Sequence, residues 1–327
     1  MSRLVAITGA TGFLGRYIVG ALANGSWRLR ILARQPINHP QLAGMQLEVV
    51  LGDLSDRQAL RALVDGADTI VHAAGLIKAP SAATFEAVNV YGTANLARAI
   101  DECNVSARVL LVSSMAAREP QLSAYARTKR AGEELLRAVL SPRCNWTIVR
   151  PCVIYGPWDR ETLTIFQAVD HHIFLRPRIV NGRVAVIHAA DAAAAIASLC
   201  DGGPAGSVFE LADERTQGYS WDEIVSTAET AMDSKALAIP LPGPAIRAAA
   251  AVSLCAARML RRTPMFTPGK AREILHADWG SRVERQPPAD LWRPAIGIAQ
   301  GFRDTVCWYR DRHWLAARRP AWSTQPR

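Results

Sequence analysis

The sequence is notable first for what it does not contain. Six cysteines (Cys103, Cys144, Cys152, Cys200, Cys255 and Cys307) are scattered without CxxC or CxxH spacing, which argues against a zinc site or a disulfide frame and suits reduced thiols in a cytosolic protein. His39, His171, His172, His276 and His313 show no metal-ligand spacing, so no metal is expected. No run of about 18 or more apolar residues marks a membrane-spanning helix, and the opening MSRLVAITGA lacks the long apolar stretch and small-residue cleavage site of a secretory signal. There is no internal repeat. The last ten or so residues, with two prolines and few apolar groups, are expected to be loose.

What is present is a long chain of 327 residues, half of them hydrophobic, enough for one large domain or two. Its net charge is +9, and +8 of it lies between Arg258 and Arg327, where 14 Lys/Arg face 6 Asp/Glu. The same stretch holds Trp279, Trp292, Trp308, Trp314 and Trp322. Such a tail suits a nucleic acid, an anionic membrane surface or an acidic substrate, or is a solvated basic face. The reading carried forward is a membrane surface and no nucleic acid: a cytoplasmic protein, peripheral at the inner face of a membrane where that contact forms.

Short apolar runs predict strands at Leu4–Thr8, Trp27–Ala33, Leu47–Leu51, Thr69–His72, Arg108–Val112 and Trp146–Val149. Helical stretches alternate with them at Phe13–Ala23, Asp56–Val64, Ala82–Asn104 and Leu122–Leu140. The pattern predicts an α/β fold, a doubly wound parallel sheet of the Rossmann type, whose ligands lie outside the carboxyl ends of the strands. Boundaries are expected at 1–155 for the dinucleotide-binding domain, at 156–317 for a smaller mixed substrate region partly interleaved with the sheet, and at 318–327 for the tail. In the substrate region Val184–His188 and Val208–Leu211 read as strands, and Asp191–Leu199 and Ser220–Met232 as helices.

Gly9-Ala10-Thr11-Gly12-Phe13-Leu14-Gly15 follows the first strand and opens the first helix, the context a dinucleotide fingerprint requires. Gly9 permits the tight turn, Gly12 close approach to a pyrophosphate and Gly15 tight helix–strand packing, while the helix start offers N–H groups to the phosphates. The second strand ends Leu32-Ala33-Arg34-Gln35 with no acid to bond a ribose 2′-hydroxyl. Arg34 therefore favours NADP(H) over NAD(H), since a guanidinium forks onto a 2′-phosphate. Arg16 either helps or is a solvated helix residue. Asp53, before Leu54, either accepts from the adenine amino group or caps the helix from Asp56 onward.

Tyr125 and Lys129, at i and i+4, share a helix face, and Ser113-Ser114 ends the fifth strand. Together Ser114, Tyr125 and Lys129 form a proton-transfer set for a carbonyl or carbinol. A free phenol titrates near pH ~10, and a nearby ammonium is expected to lower that value. Asp191, beside His188, reads as a helix cap or packing contact rather than a catalytic group.

These motifs, with His72-Ala73-Ala74-Gly75, Asn89-Val90-Tyr91-Gly92-Thr93 and Arg150-Pro151-Cys152-Val153-Ile154-Tyr155-Gly156-Pro157 in order, resemble the extended short-chain dehydrogenase/reductases of the NAD-dependent epimerase/dehydratase type, over about residues 3 to 315. The resemblance implies catalysis by Ser114 and Tyr125, Lys129 also holding the nicotinamide ribose, and Asn89 supporting the site. It implies a cofactor lined by Thr11, Phe13, Leu14, Leu54, Ala73, Ala74, Gly75 and Ser113, with Pro151 and Val153 near the nicotinamide. GATGFLGRYIV is most similar to the NADPH-binding accessory subunit of respiratory complex I and its bacterial relatives, some of them keto-sphingolipid (ceramide-pathway) reductases; others in the wider group resemble 3β-hydroxysteroid dehydrogenases.

The implied activity is reduction of a ketone on an apolar, lipid-like substrate. The alternatives are a nucleotide-sugar epimerase/dehydratase or a cofactor-binding structural subunit with little turnover. The stretch between Ser114 and Tyr125 is short and lacks the VYG element of many sugar epimerases, which weakens the first; the intact Ser–Tyr–Lys set weakens the second. Arg160, Arg176, Arg178 and Arg183 are the groups that would grip a sugar diphosphate. Ala245–Leu260, followed by Arg261-Arg262, reads as a core helix, an apolar lid or a membrane-surface helix. Family members pair through a four-helix contact, here helices 82–104 and 122–140, so a homodimer is an expectation.

Overall fold

The computed structural model describes residues 3–260, 264 and 266–316. Arg261, Arg262, Trp322 and the expected loose tail at 318–327 lie outside the described residues.

Six strands of one sheet arise in chain order: β1 (Leu4–Thr8), β2 (Arg28–Ala33), β3 (Leu47–Leu51), β4 (Thr69–His72), β5 (Arg108–Val112) and β6 (Asn145–Pro151). A seventh, Ser207–Leu211, comes from the second half of the chain and pairs with β6. The order is Ser207–Leu211, β6, β5, β4, β1, β2, β3, all parallel. Parallel neighbours require crossovers. These are supplied by α1 (Phe13–Ala23), α2 (Arg57–Val64), α3 (Ala82–Glu86), α4 (Gly92–Glu102) and α5 (Ala124–Val139), with α6 (Leu163–Asp170) and α7 (Ala189–Asp201) following β6. The strand order reverses between β1 and β4, where Thr8 lies opposite His72. A crevice opens at such a switch point.

Strand alternation sorts the core. Val5, Ile7 and Ile31 point to one face, against Ile18 and Leu22 of α1 and Ile196 and Leu199 of α7. Leu4, Ala6, Leu32 and Ile70 point to the other, against Leu63 of α2, Leu96 and Ile100 of α4 and Leu136 of α5. Each such fully buried aliphatic chain contributes roughly 1.5–3 kcal/mol.

β6 leaves the sheet at Pro151, and Val153–Tyr155 pairs instead with Val186–His188. This swings the chain into the C-terminal region, built on α8 (Trp221–Met232), α9 (Gly243–Met259), α10 (Pro268–Leu275) and α11 (Ile298–Asp311). Its core gathers Tyr155, Phe166, Phe302 and Tyr309. A Cβ at Gly301 would meet the Tyr155 hydroxyl at 2.3 Å, so glycine lets α11 approach.

Three local expectations change. The stretch 184–188 is two strands, not one: Arg183–Val184 pairs with Asp278–Trp279, and Ala185 passes its N–H to Trp279 and its carbonyl to Val153 before the second begins. Helix 82–104 is interrupted by a π turn at Ala87–Tyr91. Helix α9 buries only Ile246 and Ala250, so it is not a core helix. Four of the five C-terminal tryptophans are also part of the folded body. Trp292 is buried, Trp279 rests on His276, and Trp308 and Trp314 cluster with Trp158.

Candidate active site

The glycine turn is fixed by contact. Gly9 has φ +75°, and a Cβ there would lie 2.5 Å from the Ala74 nitrogen and 2.6 Å from the Ala73 carbonyl carbon. A Cβ on Gly15 would lie 1.9 Å from the Gly9 oxygen. Gly12 caps α1 without a side chain, and the first helical turn holds no acid. The N–H groups of Phe13, Leu14 and Gly15 therefore head the helix as unpaired donors, a site suited to a pyrophosphate. The residues present thus fit a dinucleotide.

Arg16 is half-buried: its Nε donates to Gln41 at 2.8 Å and one Nη to the Thr11 carbonyl at 2.7 Å. It braces the turn against the loop after β2 rather than standing free in solvent. Arg34 is exposed at the end of β2. Asp53 is exposed too, its carboxyl held below the ordinary value chiefly by hydrogen bonds from Ser55. Asp56, not Asp53, caps α2. Leu54 packs on Gly92, where a Cβ would come within 2.6 Å of it.

Ala73, Ala74 and Gly75 continue β4 across from the glycine turn, and a Cβ at Gly75 would be 3.2 Å from the Asn89 carboxamide oxygen and 3.5 Å from Lys129 Nζ. Asn89 sits in the π turn, a distortion frequent at functional sites. Its carboxamide clasps Leu76, accepting from the N–H at 2.8 Å and donating to the carbonyl at 3.1 Å, and also donates to Thr128. Beneath it runs a buried relay. Thr93 Oγ1 donates to the Asn89 carbonyl at 2.9 Å, so it accepts from His72 Nε2–H at 2.9 Å. His72 Nδ1 then accepts from Thr8 Oγ1 at 2.6 Å, which accepts in turn from the Ala74 N–H. Burial, with Lys129 adding to it, lowers the His72 pKa to about 3, so the ring is neutral, as this arrangement requires.

At the end of β5 the two serines diverge. Ser113 turns into the core and donates to Glu133, while its backbone N–H donates to the Val149 carbonyl at 2.7 Å. Ser114 caps a short 3-10 turn and hydrogen-bonds Tyr125. Lys129 Nζ donates to the Val112 carbonyl at 2.8 Å. Tyr125, Lys129 and Glu133 follow one another at i, i+4 and i+8 along α5, and Glu133 grips Arg150 through two bonds of 2.9 and 2.6 Å. Burial lowers Lys129 to about 8, with Glu133 opposing.

The expected lowering of Tyr125 by Lys129 is not observed. Burial raises Tyr125 to about 12, the Ser114 hydrogen bond opposes this, and the Glu273 carboxylate adds to the rise. The lysine ammonium is spent on Val112, while α10 brings Glu273 to Ser123, the cap of α5. The phenol therefore stays protonated at neutral pH, the form an acid needs. Pro151 is buried and Val153 is exposed beyond the end of β6.

Sequence reasoning missed Glu133, Glu273 and the His72 relay. Glu133 was signalled by its i+8 spacing from Tyr125, and His72 by its place as a polar residue in an apolar strand. Asp191 takes the packing role, accepting from the Ala295 and Ile296 N–H groups. Of the four candidate diphosphate arginines, Arg160 lies over the Trp314 ring, and Arg176 and Arg183 pair with Asp222 and Glu223.

Comparison with known proteins follows the same lines. The model of the NAD dependent epimerase/dehydratase family matches residues 5–212. A ceramide reductase of Caulobacter vibrioides is 44% identical over 312 residues, 95% of this chain and 96% of that protein. A 4-hydroxy-2-methyl-3-oxo-4-farnesyl-3,4-dihydroquinoline-1-oxide ketoreductase of Stigmatella aurantiaca is 28% identical over 227 residues, 63% of this chain and 67% of its own. Among solved structures, gox2253 superposes with a TM-score of 0.75 at 22% identity, covering 96% of this chain and all of that one. A Thermus thermophilus UDP-glucose 4-epimerase in complex with NAD gives 0.66 at 18% identity, covering 94% and 99%. The two structures share the fold. The chain belongs to the NAD dependent epimerase/dehydratase family and is an NAD(P)-dependent oxidoreductase acting on CH–OH/C=O groups.

Proposed function

We propose that this enzyme reduces a ketone on an apolar, lipid-like substrate of the 3-oxo-ceramide (keto-sphingolipid) or ketosteroid type, with NADPH as the preferred cofactor. The observation that carries the reading is the protonated Tyr125 beside Ser114, with three of the four candidate diphosphate arginines already engaged by other side chains. The ring beside Tyr125 is Phe85, with centroids 6.1 Å apart, and among the four candidate arginines only Arg178 lacks a side-chain partner among the described residues. The extensive likeness to a ceramide reductase points the same way.

In this reading Gly9, Gly12 and the start of α1 hold the pyrophosphate, Arg34 the 2′-phosphate, and Lys129, Asn89 and Gly75 border the ribose and nicotinamide. When bound, the cofactor supplies the hydride to the carbonyl carbon. Ser114 orients the substrate oxygen, and Tyr125 gives it the proton as negative charge develops there. The neutral His72 relay keeps Asn89 and the Ala74 loop in register without placing a competing charge in the site.

The test is NADPH oxidation across long-chain ketones, 3-ketosteroids and nucleotide sugars. Turnover of a long-chain ketone or ketosteroid with net NADPH consumption is expected. Turnover of nucleotide sugars alone, without net consumption, would overturn the reading.

A further inference from the structure

The C-terminal region carries an apolar surface that none of the described residues covers. Helix α9 rests on the body through a narrow stripe, Ile246 and Ala250, in a small cluster shared with α10. A surface helix ordinarily presents polar groups on its opposite face. Here that face is apolar: Val252 is 68% exposed and Met259 86%, and the end of the helix adds Leu260 at 64%. The adjoining strand pair behaves alike. Ile173–Pro177 and Leu237–Leu241 run parallel, with Leu237 opposite Ile173 and Ile239 opposite Leu175. Phe174 faces the core, while Ile173, Leu175, Leu237 and Ile239 are exposed together on the outer side. Strand Leu237–Leu241 leads into α9 through Pro242, so the two elements are neighbours in the chain. Exposed apolar surface gathered in this way marks an interaction site.

The charge identifies the occupant. Residues 236–272 hold six basic side chains and no acidic one. Arg247 and Arg258 are both exposed and stand eleven residues apart, about three helical turns, so they lie along one edge of α9. An apolar helix edged by arginines, in a stretch of sequence without acidic residues, matches a helix lying in the headgroup region of an anionic bilayer. The surface also leads to the site. Helix α10, against which α9 packs, touches Ser123 at Gly269, where a Cβ would lie 2.9 Å from the serine Cβ. Arg272 donates to the Leu122 carbonyl, and Glu273 accepts from Ser123. Only α10 separates the apolar face from the residue that caps the helix of Tyr125.

We propose that α9 and the outer face of the Ile173–Pro177/Leu237–Leu241 pair dock the enzyme on an anionic lipid bilayer, placing the catalytic cleft at the surface from which its lipid substrate is drawn. This rests on the lipid-reductase reading above. It moves the membrane contact away from the C-terminal tryptophans, whose described rings are built into the body of the protein.

The experiment uses the full chain and vesicles of phosphatidylcholine with or without phosphatidylglycerol. Co-flotation with the anionic vesicles is expected at low salt, weakening at least tenfold in high salt. The double variant Val252→Asp/Met259→Asp, altered only at exposed positions, should lose flotation at least tenfold. Its turnover of a vesicle-embedded long-chain ketone should fall in parallel, while turnover of a short soluble ketone stays unchanged; Arg247→Ala/Arg258→Ala should lose the salt dependence. Absence of flotation by the unmodified chain, or equal flotation by the aspartate variant, would overturn docking while soluble-ketone turnover leaves the reductase reading standing. Flotation without reduction of any ketone would instead count against the reductase. A dimer in solution that the aspartate variant splits would assign the surface to a second copy and overturn the proposal.

Discussion

Replacing Glu133 with glutamine should reveal both what holds the site together and what sets its pH range. The carboxylate is fully buried and grips Arg150 at 2.9 and 2.6 Å while accepting from Ser113. Removing one partner of a buried ion pair costs about 3–5 kcal/mol, because the other charge is left uncompensated. With an unfolding entropy of about 2.1 cal/mol/K per residue, the whole chain changes by about 0.7 kcal/mol per degree, so Tm should fall by roughly 4–7 °C. The second effect is on Lys129, held at about 8 by burial with Glu133 working to keep it charged. A lysine loses its proton as pH rises through its pKa. Without Glu133 that loss comes at lower pH, so the descending limb of kcat/KM should move from near pH 8 toward neutrality. Thermal unfolding followed by circular dichroism and a pH–rate profile from 6 to 9 measure the two. Glu133→Leu/Arg150→Met should regain much of the stability but not the alkaline limb. A Tm within 2 °C of the parent together with an unmoved limb would refute the argument.

Three further outcomes are expected. Arg34→Ala should raise the NADPH KM by about 10- to 100-fold, the worth of a charged hydrogen bond, and leave the NADH KM nearly unchanged; equal effects on both would remove Arg34 from the 2′-phosphate. Gly15→Ala places a Cβ 1.9 Å from the Gly9 oxygen, so cofactor affinity in a fluorescence titration should drop at least ~10-fold, and unchanged affinity would show that the turn is not the pyrophosphate site. For His72, neutral in the fold down to about pH 3, the unfolded chain alone takes up the proton below about pH 6.5. Stability is therefore lost as pH falls through that window, by about 1.4 kcal/mol per unit. Urea unfolding at pH 6.5 and 5 should show the parent losing about 1.6 kcal/mol more than His72→Gln; parallel losses would contradict the neutral relay.

The nucleotide half of the fold could be read from the sequence because each element carries its own signal. The run LVAIT meets glycine at Gly9, and helix Phe13–Ala23 begins where that turn ends. The Ser–Tyr–Lys set was legible for the same reason, since helical spacing alone puts Tyr125 and Lys129 together. The rest depended on distant contacts. Glu273 is 148 positions from Tyr125, and no local pattern announces that α10 will cover the cap of α5. The sign of the Tyr125 shift followed from that burial and not from the lysine four residues away. The π turn at Asn89 leaves no trace in hydrophobic periodicity, and the sequence of α9 leaves core helix, lid and membrane-surface helix all open until the fold shows that nothing among the described residues covers its outer face.

The most direct test of the central claim follows the hydride. With NADPH deuterated at the transferred C4 position and a 3-oxo-ceramide as substrate, mass spectrometry of the product should find deuterium at the new carbinol carbon, in step with NADPH consumed, and Tyr125→Phe should lower this at least ~10²-fold. Deuterium retained on a cofactor that is not consumed, or undiminished transfer by Tyr125→Phe, would contradict it.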